Sequence, residues 1–361
     1  MKRLIAGTAA GLLAAVLFLP VSAGAVSARC AAVLDPVSGR LLYEKNPDSR
    51  SLIASTTKIM TALLICEQCC VLDWMEIPKE AAGVEGSSMY LKAGEVLTIQ
   101  ELLYGLMLSS GNDAAVALAI YCGGTVEGFV EQMNDKARLL KLENTHFENP
   151  NGLDAPGHYS TARDLARLAA YAMENPVFAQ TVSTRTVSAA GRQLRNHNKL
   201  LWLFPGADGV KTGFTRRAGR TLVSSACRDG RRLIAVTLDD GNDWRDHQAL
   251  LEQGFSDFHL QRIVTAGDSA GSRAVLGGRA DRVNLVVGEH FVYALASEEP
   301  VALVLPQPEF VYAPVTEGAS AGFAYVTVSG KAVGKVPVYY GETVEQQEET
   351  RGGFWSRLRG G

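Results

Sequence analysis

The hydrophobic pattern changes period near residue 262, and that change divides the chain into two kinds of fold. Upstream, apolar residues recur at helical spacing and alternate with short strand-like runs. Residues 31–35 and 41–44 predict strands joined by a Pro36-Val37-Ser38-Gly39 turn. Helices are expected over 55–70, 99–107, 113–121, 126–140, 162–173 and 246–258, with neighbouring strands over 221–226 and 233–238. Downstream the helical period vanishes. Residues 283–287, 290–296, 301–305, 323–328 and 333–340 are short β-runs punctuated by Gly and Pro, at the spacing of a small sandwich or barrel. The expected organisation is a mixed α/β domain at 29–262, an all-β domain at 263–341 and a polar tail at 342–361. With 361 residues, 47% apolar and 20% charged, the chain has enough core for both domains and for a buried site.

The two ends carry their own signals. Lys2 and Arg3 precede an uncharged apolar run over 4–19, followed by Pro20 and the small-residue stretches Ala23-Gly24-Ala25 and Val26-Ser27-Ala28. This pattern predicts a signal peptide at 1–28 and therefore an exported, extracytoplasmic protein. Loss of Lys2 and Arg3 takes the formal charge from −3 to −5. No basic stripe accompanies it, so no nucleic-acid partner is expected. In the tail, Phe354, Trp355 and Leu358 beside Arg357 and Arg359 read either as a short membrane-surface anchor or as a frayed terminus. The six cysteines are too sparse for a disulfide scaffold. Cys66, Cys69 and Cys70 share helical spacing and are expected as small buried hydrophobes. No histidine stands beside them, and no His-Glu-x-x-His occurs, so neither a metal nor a cofactor is expected.

Three short motifs carry chemistry. Ser55-Thr56-Thr57-Lys58 opens the first long helix, so the Lys58 amine, one turn on, can reach the Ser55 hydroxyl. A serine needs a base to become a nucleophile, and a buried lysine near positive potential loses its proton readily enough to serve. Alone, Ser55 reads more readily as a helix cap and Lys58 as a solvated first-turn residue. Ser110-Gly111-Asn112 sits in a turn between two helices, where Ser110 can relay a proton and Asn112 can pair with a substrate amide. Lys211-Thr212-Gly213 lies in a strand-like segment, where its polar groups suit a substrate carboxylate.

In this order the three motifs resemble the low-molecular-mass penicillin-binding proteins, the D-Ala-D-Ala carboxypeptidases of the S11 peptidase family. The likeness extends through Gly86-Ser87-Ser88, Gly94-Glu95, Ser109 to Ala115, and His146-Phe147-x-Asn149-x-x-Gly152-Leu153-Asp154. It continues in His158-Tyr159-Ser160-Thr161-Ala162-Arg163-Asp164 and Asp208 to Thr215. The resemblance implies a β-lactamase/transpeptidase-like catalytic domain followed by a sandwich-like β domain. It implies Ser55 as the acylated nucleophile, Lys58 as its base and Ser110 as proton shuttle. Asn112 would position the substrate amide. The backbone N–H groups of Ser55 and Phe214 would form an oxyanion hole. Lys211, Thr212 and Arg245 would bind the terminal carboxylate and Gly213 would also line the substrate site, although Arg245 reads equally as an exposed first-turn residue. The implied substrate is a peptidoglycan stem peptide, and β-lactams would trap Ser55. His197, near the substrate by the same likeness, reads better as structural.

Other functions fit the same motifs. A class A β-lactamase would need a water-activating carboxylate, for which Glu148 stands at a plausible distance. A slow penicillin-binding sensor would acylate without turnover, and an endopeptidase would differ only in the width of its groove.

Overall fold

The computed structural model describes residues 26–306 and 309–348; most of the expected signal segment and the Phe354–Arg359 stretch lie outside them. Strands β1 (Cys30–Leu34) and β2 (Leu41–Lys45) form an antiparallel hairpin. Helix α1 (Lys58–Gln68), a ribbon of β3 (Trp74–Glu76) and β4 (Val96–Thr98), and helices α2 (Ile99–Leu108) and α3 (Asn112–Gly123) follow. Next come α4 (Val126–Leu139), α5 (Ala162–Ala172) and α6 (Pro176–Ser183). A second ribbon, β5 (Thr186–Ala189) with β6 (Arg192–Arg195), and the single turn α7 (Leu200–Leu203) lead into three long strands. These are β7 (Ala207–Thr215), β8 (Gly219–Arg228) and β9 (Arg231–Leu238), closed by helix α8 (Asp243–Asp257).

The central sheet is antiparallel, in the order β2-β1-β9-β8-β7, so that no further strand among the described residues pairs with the outer edge of β7. Both faces are covered. Cys30, Ala32 and Leu34 pack with the helical layer around α1, while Ala31 and Val33 pack with Leu250 and Leu251 of α8. Burial on two sides explains why β1 and β9 read as continuous apolar runs rather than alternating ones.

Local chemistry accounts for where elements start. Thr98 and Glu101 form a reciprocal capping box at α2, and the Thr125 and Thr161 side chains cap α4 and α5. The first long helix departs from expectation. It begins at Lys58, after a 3₁₀ turn over Ala54–Thr57. The Thr56 hydroxyl bonds back to the Ile53 carbonyl at 2.6 Å and that of Thr57 to the Ala54 carbonyl at 2.9 Å, which tightens the turn. It also ends early: Cys69 is extended, so helical spacing no longer holds at Cys70. Cys70 is exposed, whereas Cys66 and Cys69 pack partly buried against the core.

From Phe258 the only regular elements among the described residues are strands. Strands β10 (Phe258–Val264), β11 (Ser269–Leu276), β12 (Arg282–Val287), β13 (Phe291–Ala296), β14 (Val301–Val304), β15 (Phe310–Tyr312), β16 (Ser320–Val328) and β17 (Lys331–Tyr340) form two sheets. The pair β10–β13 packs Val264 and Phe291 against Leu285, Val326 and Val336 of the six-stranded sheet, a sandwich-like core. Strands β10, β11 and β15 escape the sequence pattern. The polar residues of β10 and β11 dilute the period, and β15 has three residues.

Arg40, just before β2, fastens the domains together. Its guanidinium donates to both Glu299 carboxylate oxygens (2.6 and 2.7 Å) and to the Ala294 carbonyl (2.8 Å). It also lies 4.9 Å from the Phe258 ring centre and 5.4 Å from that of Tyr293. Arg40→Ala leaves Glu299 without its cation, a loss of about 2–4 kcal/mol. The expected outcome is an earlier, separate β-domain transition by scanning calorimetry. A transition of unchanged shape and midpoint would contradict this role.

Candidate active site

Ser55 sits on the 3₁₀ turn under unusual backbone conditions. Ala54 has φ 47°, in the left-handed region that disfavours an alanine, and the next residue is the serine. Two glycines make this turn possible. Gly152 (φ 90°) lies so close that any side chain there would collide with the Ala54 carbonyl. A Cβ on Gly213 would stand 2.9 Å from the Ser55 amide nitrogen. Gly213 therefore lets strand β7 pass directly beside Ser55, with Phe214 next in line. His158 locks the turn from the other side. Its Nδ1 accepts from the Glu148 amide (3.1 Å), so its Nε2–H donates to the Thr57 hydroxyl (2.7 Å). Burial, with His146 nearby, pushes the His158 pKa down to about 4, consistent with a neutral ring.

Lys58 opens α1 and is fully buried, with Nζ 3.1 Å from Ser55 Oγ. Nζ also donates to Asn112 Oδ1 and to the Asn151 carbonyl, each at 2.6 Å. The Asn112 amide is oriented for this, because its Nδ2 donates to the Glu85 carbonyl at 2.6 Å. A neutral amine has two N–H bonds and one lone pair. Both N–H bonds are committed to oxygens that can only accept, so the lone pair is left for the Ser55 hydroxyl. Burial holds Lys58 well below the ordinary lysine range; the like charge of Lys211 lowers it further, and Asp113 opposes them.

The second motif is shaped by Asp113. Its buried carboxylate accepts from the Ser88 hydroxyl (2.6 Å) and from the amides of Met89 (3.1 Å) and Leu91 (3.0 Å). These bonds pin the loop that lies over Asn112. Ser110 is held at φ 60° and is 4% exposed, at the cleft wall. In the third motif Lys211 is buried, with Nζ on the Thr212 carbonyl at 2.9 Å. Burial lowers its pKa to about 7.

Ser55, Ser110, Thr212, Gly213 and Phe214 line one cleft of about 800 Å³ beside the outer edge of β7. Lys58, Asn112 and Lys211 stand buried behind it. Eight of the nine expected site residues are thus brought together. Arg245 is not among them. It is exposed on the first turn of α8 and borders a smaller neighbouring depression. The cations at the cleft wall are Arg220, Arg195 and Lys199, and His197 lines it as well. Glu148 is exposed beside His146 and Gly157 and does not line the cleft. Sequence reasoning missed the Asn151 carbonyl, which has no side-chain signature, and Arg220. The only sequence signal for Arg220 is its place across a tight turn from Phe214.

Comparison with known proteins agrees with this arrangement. Residues 19–242 match the family model of peptidase S11, D-alanyl-D-alanine carboxypeptidase, and residues 258–346 match that of the penicillin-binding protein 5 C-terminal domain. The D-alanyl-D-alanine carboxypeptidase DacF of Bacillus subtilis is 32% identical, over 86% of this chain and 84% of its own. DacC of Escherichia coli is 33% identical, over 99% and 95%. Penicillin-binding protein 5 of Haemophilus influenzae superposes with a TM-score of 0.76 at 29% identity, over 91% of this chain and 100% of its own. With its α/β domain, its C-terminal β domain and Ser55, Lys58 and Ser110 gathered at one cleft, the chain belongs to the peptidase S11 family of D-alanyl-D-alanine carboxypeptidases.

Proposed function

We propose that this carboxypeptidase works through an acyl-enzyme on Ser55 and removes the terminal D-alanine from peptidoglycan stem peptides. The observation that carries the reading is the buried Lys58 amine, 3.1 Å from Ser55 Oγ with its N–H groups already engaged. Neutral Lys58 takes the Ser55 proton as Oγ attacks the carbonyl of the penultimate D-alanine. The backbone N–H groups of Ser55 and Phe214 receive the developing oxyanion. Ser110 passes the proton to the leaving amine, the C–N bond breaks, and D-alanine departs. Water then attacks the ester, gives one proton back to Ser55 Oγ through the same side chains, and releases the shortened peptide. The stem peptide lies along the outer edge of β7, which offers unpaired backbone groups to an extended ligand. No step requires a metal or cofactor. A β-lactam acylates Ser55 by the same route.

Export is part of this reading, supported by the Lys2–Arg3 start and the apolar run after it. Peripheral contact with the outer membrane face through Phe354, Trp355 and Leu358 is the accompanying proposal for the tail.

D-alanine release from a peptide ending in Lys-D-Ala-D-Ala tests the nucleophile. Ser55→Ala is expected to lower release by about 10⁴-fold or more, and to abolish the penicillin adduct seen by intact mass. Release surviving in Ser55→Ala would end the acyl-enzyme reading. Penicillin deacylation unchanged in Glu148→Gln separates this enzyme from a β-lactamase; collapse there would favour the lactamase.

The pH dependence has a definite sign. Acylation should rise with pH as Lys58 loses its proton, which burial and the charged Lys211 beside it help to drive off. In Lys211→Gln the repulsion is gone, so the Lys58 pKa rises. The acid limb of the residual rate should therefore move to higher pH. A pH profile of penicillin acylation measures this shift, and an unmoved acid limb would refute the coupling.

A further inference from the structure

We propose that Arg220 is the specificity-determining cation, binding the free terminal carboxylate of the substrate with Thr212, while Asp243 acts as its positioning residue. The inference rests on the carboxypeptidase reading of the Ser55 cleft and deepens it.

Register is the first ground. Strands β7 and β8 pair Phe214 with Arg220 and Thr212 with Leu222. Opposed residues of an antiparallel pair point to the same face, so Arg220 lies diagonal to Thr212 on one face, within reach of a long side chain. Both line the Ser55 cleft. Lys211, one residue before Thr212, faces the opposite side of the strand and spends its Nζ on a backbone carbonyl.

The second ground is how the guanidinium is held. Nε and Nη2 donate to the Asp243 carboxylate (3.0, 3.0 and 2.8 Å), and the guanidinium carbon lies 5.7 Å from the Trp244 ring centre. Asp243 is 3% exposed and also lines the cleft. The side chain of Arg220 is 44% exposed. Nη1 donates to no partner among the described residues. One edge of the fork is thus fixed and the other is presented to solvent in the cleft, the arrangement suited to a planar carboxylate. Of the other cations at the wall, Arg195 sits over Trp202 at 5.2 Å, with no carboxylate fixing it among the described residues. Arg245 borders only the neighbouring depression.

The test compares the peptide ending in D-Ala-D-Ala with the same peptide carrying a C-terminal carboxamide. The wild type should prefer the free acid. Arg220→Gln should lower kcat/KM for the acid by about 10- to 100-fold, mainly through KM, and lower the amide rate far less, so the acid-to-amide ratio falls. Arg220→Lys should recover part of the loss. Asp243→Asn should raise KM for the acid alone, because it loosens the guanidinium without removing it. A fold defect would lower both substrates together and shift the thermal midpoint, whereas the acid-to-amide ratio reports the carboxylate contact. Should Arg220→Gln keep the wild-type ratio while D-alanine is still released, the inference is overturned and the carboxypeptidase reading stands. Loss of the ratio in Arg245→Ala instead would place the anchor on α8 and also overturn it. A folded wild type releasing no D-alanine would overturn both.

Discussion

Burial of the Lys58 amine against two acceptor oxygens is the interaction on which the rest of the site depends. A lysine placed here in water would be protonated and useless as a base. Removing water penalises the charged form, and the nearby like charge of Lys211 adds to the penalty. Burial alone would leave a polar nitrogen without partners at a cost of about 1–3 kcal/mol. Asn112 Oδ1 and the Asn151 carbonyl prevent that, and they do so as acceptors, so they fix which direction the amine can face. Chemistry and stability are met by the same three contacts.

Holding those two oxygens in place accounts for structure well outside the motifs. The Asn151 carbonyl belongs to a loop tied down by Asn149, which accepts from the Gly152 amide at 2.7 Å and donates to the Leu153 carbonyl at 2.9 Å. The Thr61 hydroxyl reaches the Pro150 carbonyl at 2.6 Å, so the loop is also bonded to α1 itself. Asp113 does the same service for the loop over Asn112. The β domain takes no part: no residue beyond Trp244 lines the cleft among the described residues. Its fastening at Arg40 is by β2, four strand spacings or roughly 19 Å from β7.

How much of this was legible in the sequence follows from what each residue does with its side chain. Ser55, Lys58, Ser110, Asn112 and Lys211 bring side chains to the cleft from short motifs, and a motif with a mechanical reason can be read from sequence. The buried strands β1 and β9 were legible because their apolar runs are continuous. Asn151 was not, since it contributes a backbone carbonyl that any residue type would supply. Gly152 and Gly213 were visible as glycines, but only the packed structure shows what each comes up against. The polar strands of the β domain were blurred because residues facing solvent set no period.

Arg220 and Arg245 show the limit most clearly. Distance along the chain from Lys211-Thr212-Gly213 favours Arg245, because the sequence offers no other ruler. Space is measured across the sheet. The turn between β7 and β8 returns the chain so that Arg220, nine positions after Lys211, stands opposite Phe214, at the cleft. Arg245 follows Asp243 by two positions on a helix, a spacing that does not share a face, so when Asp243 turns inward Arg245 turns out. The inward Asp243 then finds its cation on the strand, and the strand arginine is the one held at the cleft wall.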